Sequence, residues 1–140
     1  LGDGYTRQGQ GMDGEIWVFG QPEHLSRRVT DWLKEEAKQK ISPLCLEKAE
    51  RAGRRVRRVV VRSKRSRWGS CGSNGHLSFN WRLILAPEAV LDYVVAHEVG
   101  HLIEMNHSPA FWRAVRNLTP HTKHGREWLN RNGQKLYRHG

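Results

Sequence analysis

The spacing of apolar residues changes several times along this chain, and each change marks an element. Residues 1–14 have no period; glycine and polar residues dominate, so a mobile tail or an expression remnant is expected there. Ile16, Trp17, Val18 and Phe19 have strand-like content and stop at Gly20 and Pro22. Leu25, Val29, Trp32, Leu33, Ala37 and Ile41 then recur at helical spacing. Pro43 predicts an end or kink near Ser42, with Ser42 capping a second helical piece that stops before Gly53. Val56 and Val59 to Val61 predict a strand. Residues 67–80 read as a β-hairpin turning at Gly72, Ser73, Asn74 and Gly75, with Leu77 and Phe79 alternating against polar neighbours. A helix over 87–105 follows, with Val90, Leu91, Val94, Val95 and Leu102 on its buried face. Ser108 and Pro109 begin the next helix, which carries Phe111, Trp112 and Val115 and stops at Thr119 and Pro120. A last helix is expected over 123–137. Strands grouped in the middle and helices on both sides make an α+β domain over residues 15–140.

Composition narrows the class. The chain has 140 residues, enough for one domain with a real core, and six tryptophans suit a globular protein. Two cysteines, Cys45 and Cys71, make no disulfide framework, so a reducing, cytoplasmic setting is expected. No signal peptide is legible at the start, and no run of about 18 apolar residues offers a membrane span. A monomer is the default expectation. The formal net charge of +10 favours anionic partners. Much of it lies in residues 51–67. Arg54, Arg55, Arg57, Arg58, Lys64 and Arg65 there form a candidate patch for nucleic acid or other anions; the competing reading is a solvated strand face that protects a sheet edge.

The third predicted helix contains His97, Glu98 and His101, and His107 follows, an H-E-x-x-H-x5-H pattern. Residues four apart share one helix face, so His97 and His101 can aim two imidazoles at one cation. Glu98 can then reach a water at that cation without binding the metal, where a general base is needed. A helix ending near Met105 and Asn106 would let the chain fold back and deliver His107 as third ligand, with an αL conformation at Asn106 suiting the turn. One open position is left, as in a catalytic zinc site, with one Zn2+ per chain. From the chain's own His and Glu frequencies the three-histidine pattern should arise by chance only about 0.002 times. Glu127, the one acidic residue after His107, is the rival third ligand. His121 and His124 read as surface histidines rather than a second metal site.

Residues 67–112 carry a resemblance. Arg67-Trp68-Gly69-Ser70-Cys71, residues 77–87, residues 92–98 and residues 106–112 resemble the YgjP-like (DUF45) group of zinc metallopeptidases, which is related to the SprT- and Wss1-like proteases. The resemblance implies a small zincin-like domain: helices packed on a short, mostly antiparallel sheet, with the H-E-x-x-H helix beneath an edge strand. It implies His97, His101 and His107 as zinc ligands and Glu98 as catalytic base. It also implies a peptide or protein substrate, with DNA-associated proteins as candidates. No methionine follows His107 and Glu104 stands where metzincins have glycine, so the metzincin label does not fit.

The expected reaction is therefore peptide-bond hydrolysis by a metal-activated water. Arg67, Trp68 and Asn80 are the candidate substrate-binding residues, and the 67–80 hairpin offers an edge for an extended peptide. Ser70 and Cys71 lack a dedicated base and are expected to pack or turn the chain. A metal-dependent phosphohydrolase acting on nucleotides is the first alternative, since the same water can attack phosphorus beside a basic surface. A nucleic-acid-binding module with structural zinc is the second, and Glu98 argues against it.

Overall fold

The computed structural model describes residues 26–64 and 67–138. The tail at 1–14, the strand expected at 15–19 and Arg65 lie outside the described residues. Elements follow in the order α1 (Arg27–Ala52), β1 (Arg58–Arg62), β2 (Gly69–Cys71), β3 (His76–Asn80), a 3₁₀ helix (Trp81–Leu85), α2 (Glu88–Gly100), α3 (Pro109–Leu118) and α4 (Thr122–Leu136). They form an α+β fold, four helices around a three-stranded sheet.

The two helical pieces expected on either side of Ser42 are one helix. The Ser26 hydroxyl accepts the Val29 N–H at 3.1 Å at its start. At its end Gly53 adopts φ 68°, and its N–H and that of Arg54 return to the carbonyls of Glu50 and Ala49. Leu33, Ala37 and Ile41 before the proline, and Cys45, Lys48 and Ala49 after it, are buried on one continuous stripe. Proline inside a helix costs about 3 kcal/mol. Burying each large apolar side chain returns about 1.5–3 kcal/mol, so the stripe outweighs the defect. Pro43 itself points to solvent. Pro43→Ala is accordingly expected to raise stability by roughly 1–3 kcal/mol, after allowing for proline's stiffening of the unfolded chain. Chemical denaturation would show it, and a loss of stability would contradict a helix that runs straight through this position. Trp32, expected on the stripe, is 47% exposed.

β3 is the central strand. Its Leu77 and Phe79 are fully buried in the hydrophobic core. The expected hairpin joins β2 to β3 antiparallel, pairing Gly69 with Phe79 and Cys71 with Leu77. β1 lies on the other side of β3 and runs parallel to it, from Arg58 opposite His76 to Arg62 opposite Asn80. The sheet is thus mixed, and its parallel pair is longer than its antiparallel one. β1 and β2 therefore lie on opposite sides of β3, and Asn80 ties the described residues between them to the end of β3. Its Nδ2 donates to the carbonyls of Lys64 (3.0 Å) and Arg67 (3.2 Å), and its backbone N–H donates to that of Trp68 (2.9 Å).

α2 is buried on nearly every side, as its continuous apolar run requires. It packs against α1, α3, α4 and β2. A polar clamp fixes it to two of these. Buried Lys48 on α1 pairs with Asp92 at 2.9 Å and donates to the Leu118 carbonyl at 2.9 Å. The Thr119 hydroxyl donates to the other Asp92 oxygen at 2.6 Å. Trp81, Leu83, Val95, Val99, Phe111 and Val115 fill the core beside it.

Candidate metal centre

His97 lies on the last turn of α2 and His101 caps its end, and how that helix ends decides where His107 goes. The helix stops at Gly100, five residues before the expected end. A Cβ at Gly100 would lie 3.0 Å from Val115 and 3.2 Å from Phe111, so α3 crosses the helix end against bare backbone. The N–H groups of His101, Leu102 and Ile103 reach back three residues to Glu98, Val99 and Gly100, a tightened turn that winds the helix down. His101 keeps α-like angles (φ -69°, ψ -14°), so the four-residue spacing still holds. The chain then reverses without the αL conformation expected at Asn106: among the described residues only Gly53 and Gly75 have positive φ. Ser108 accepts the Phe111 N–H at 3.3 Å and starts α3.

This reversal brings His107 back onto the pair. Ring centroids are 5.0 Å apart for His97 and His101, 5.3 Å for His97 and His107, and 4.8 Å for His101 and His107. One ligating nitrogen from each lies within 4.8 Å of the other two. Among the described residues no other three His, Cys, Asp or Glu side chains gather in this way. Phe111 underlies all three rings, stacked on His101 at 4.4 Å. Trp112 stacks on His107 at 6.0 Å and carries the Arg126 guanidinium on its face at 4.4 Å. Tyr93, one turn before His97, meets it edge-on at 5.9 Å.

The donor set suits a metal. Nδ1 of His101 faces the Glu104 carbonyl at 3.1 Å and Nδ1 of His97 faces Glu98 Oε2 at 3.2 Å. The Nδ1–H tautomer satisfies both contacts and leaves each Nε2 lone pair free, the usual arrangement behind ligating histidines. Burial lowers the His101 pKa, and His97 and His107 push it the same way against the Glu104 carbonyl and the Glu98 carboxylate. The ring is thereby kept in the neutral form that ligates.

Glu98 is 5% exposed beside this cluster. The edge strand closes over it at Gly69, where a Cβ would lie 2.8 Å from Glu98 Cγ and 3.0 Å from Oε2. Nearby acids feel the site. Burial, then the Glu98 carboxylate, pushes the Cys71 thiol up to about 11, and the same two causes lead in raising Cys45 to about 12. Both cysteines are free thiols, protonated at neutral pH. Burial is likewise the main cause that takes Tyr93 to about 12, with Arg126 opposing.

Three converging histidines that could hold a metal, beside a buried carboxylate on an α+β scaffold, are what a metal-dependent hydrolase needs. A family model described as YgjP-like, metallopeptidase domain, matches residues 5–132. The chain belongs to this YgjP-like metallopeptidase family. It is therefore a peptidase. No curated protein matched the chain in comparison. Among solved structures, the metallopeptidase zymogen abylysin of Pyrococcus abyssi shares the fold at a TM-score of 0.51 and 23% identity, over 78% of this chain and 96% of that one.

Other expected site residues of this YgjP-like metallopeptidase fall in different places. Asn80 is fully buried and spent on the described residues between β1 and β2 and on Arg82, so it lies behind the cleft instead of lining it. Trp68 packs on Tyr137 at 4.5 Å and against Gly133, a packing role. Arg67 is exposed. Glu127 and His124 are exposed on α4, apart from the triad, and His121 is half-buried at that helix's start. Of the basic patch, Arg54, Arg55 and Arg57 border the same cavity as His101. Arg58 points to solvent on β1, and Lys64 instead donates to Ser70 (3.1 Å) and Ser78 (2.6 Å). Among the described residues no helix is long and apolar enough to cross a membrane. Gly69, Gly100 and Tyr93 escaped the sequence reading. Only Tyr93 left a signal, lying four residues before His97 on the same helix face.

Proposed function

We propose that this metallopeptidase hydrolyses peptide bonds with Glu98 as general base and one zinc ion held by His97, His101 and His107. The observation that carries this reading is the convergence of three imidazole nitrogens within 4.8 Å beside a carboxylate that is 5% exposed. His97, His101 and His107 would hold the ion, and a bound zinc would supply Lewis acidity for the substrate carbonyl and for the attacking water. Glu98 takes the proton during attack and returns it to the departing amine. Its position is held from two sides, by His97 Nδ1 and by the close approach of Gly69, so little reorganisation precedes the proton transfer. The Phe111 and Trp112 rings pack the histidines and limit their rotamers. Among the described residues β2 pairs with β3 on one edge only, and the opposite edge is the one an extended peptide would join.

A structural metal would not call for an acid buried against the site. Phosphoryl transfer is the chemistry to separate by assay. Protein stripped by a chelator is expected to lose peptide cleavage and to regain it with about one equivalent of zinc per chain. The same preparation should hydrolyse nucleotides no faster than background. Nucleotide turnover without peptide cleavage would overturn the reading.

A further inference from the structure

Beside the metal centre lies an open cavity of about 480 Å³. Its lining brings together Arg54, Arg55 and Arg57, the 72–75 hairpin turn, and His101, Leu102 and Met105. We propose that this cavity is a substrate subsite for acidic side chains, Glu or Asp, on the N-terminal side of the scissile bond. The proposal rests on the hydrolytic reading above.

Three observations converge on it. First, Arg54 and Arg57 are held in place through their backbone. The Arg54 N–H bonds the Ala49 carbonyl at 2.9 Å in the cap of α1, and the Arg57 N–H bonds the Gly75 carbonyl at 2.9 Å. Gly75, at φ 83°, packs on the Arg57 stem, where a Cβ would lie 3.2 Å from Cγ. Second, no carboxylate among the described residues pairs with any of the three, although Arg51, just before them, is bound to Glu47 at 3.1 Å. Three exposed guanidiniums with no carboxylate partner among the described residues match carboxylates from a substrate, which they hold in two-pronged hydrogen bonds. Third, His101 lines the same cavity, so whatever fills it sits next to the reacting bond. Half-buried Leu102 and exposed Met105 give a glutamate's methylenes apolar surface.

The direction follows from the sheet. β2 runs from Gly69, against Glu98, to Cys71 and then into the 72–75 turn at the arginines. A substrate added antiparallel, the more stable pairing, runs the opposite way. Its residues pass the arginines first and Glu98 afterwards, so those before the scissile bond meet the arginines. Nucleic acid would also be attracted to three arginines, but a cavity containing a proposed metal ligand favours an occupant that continues into the reacting centre.

Matched peptides with Glu, Ala or Lys before the scissile bond provide the test. The unaltered protein should cleave the Glu peptides with kcat/KM about ten-fold or more above the Ala peptides, and the Lys peptides worst. The triple substitution Arg54→Glu, Arg55→Glu, Arg57→Glu should invert that order, and Arg55→Glu alone should narrow it. Fluorescence anisotropy of the same peptides on Glu98→Gln should give the same ranking by affinity, weakening with salt. This arm reads the subsite even if no peptide is cleaved; absent cleavage with intact ranking would count against the hydrolytic reading alone. Equal treatment of Glu and Ala peptides in both arms would overturn the subsite. So would a triple variant that keeps the peptide ranking and loses only affinity for a single-stranded oligonucleotide.

Discussion

Glu98→Gln is expected to lower kcat for peptide hydrolysis by roughly 10²–10⁴-fold while leaving about one metal ion bound per chain. Glutamine has the same shape and can keep a contact with His97 Nδ1, now 3.2 Å from Oε2, but it cannot take a proton. The carboxylate is not a member of the proposed ligand triad, so metal content should not follow activity down. Glu98→Asp withdraws the base by one methylene and should fall between the two. Initial rates beside elemental analysis of the same samples provide the check. Near-normal turnover in the glutamine variant would end the general-base assignment. Loss of the metal together with activity would turn Glu98 into a ligand.

The second large effect is on stability and lies behind the site. Lys48→Met should destabilise the fold by about 3 kcal/mol, or roughly 10 °C in Tm. Lys48 is 3% exposed and holds α1 to Asp92 of α2 and to the end of α3. Removing it leaves Asp92 with the Thr119 hydroxyl as its remaining partner, and a buried charge stripped of its counter-ion is expensive. Asp92 keeps 21% of its side chain in water, which places the loss at the lower end of the range for buried pairs. The double variant Lys48→Met, Asp92→Asn removes both charges and should recover part of the loss. Thermal unfolding of the four proteins closes the cycle. Additive losses would mean that the pair is not coupled and that α1 is held by its apolar stripe alone.

The convergence of the three histidines was legible because its information is local. A four-residue spacing on a helix dictates a shared face, and a third histidine a short turn away can return to it. The hairpin was legible for the same reason, since its turn residues and alternation act within a few positions. Pro43 misled because proline's local cost was weighed without the six buried positions that continue through it. Asn80 misled because polarity suggests a cleft, whereas it holds the described residues between β1 and β2 through contacts that no spacing rule reveals. The parallel pairing of β1 with β3 was hidden too, because partner choice between strands depends on long-range packing that no local spacing encodes.

The sequence alone therefore determined the family of chemistry: which imidazoles share a face, which carboxylate stands beside them, and that the surface is cationic. Tertiary structure alone decided where α2 stops, that Gly69 lets the edge strand close over Glu98, and that three of the arginines border the cavity of His101. The reason is range. Helix and turn geometry propagate over a few bonds, whereas a missing Cβ or an exposed guanidinium acquires meaning only from what a distant part of the chain places beside it.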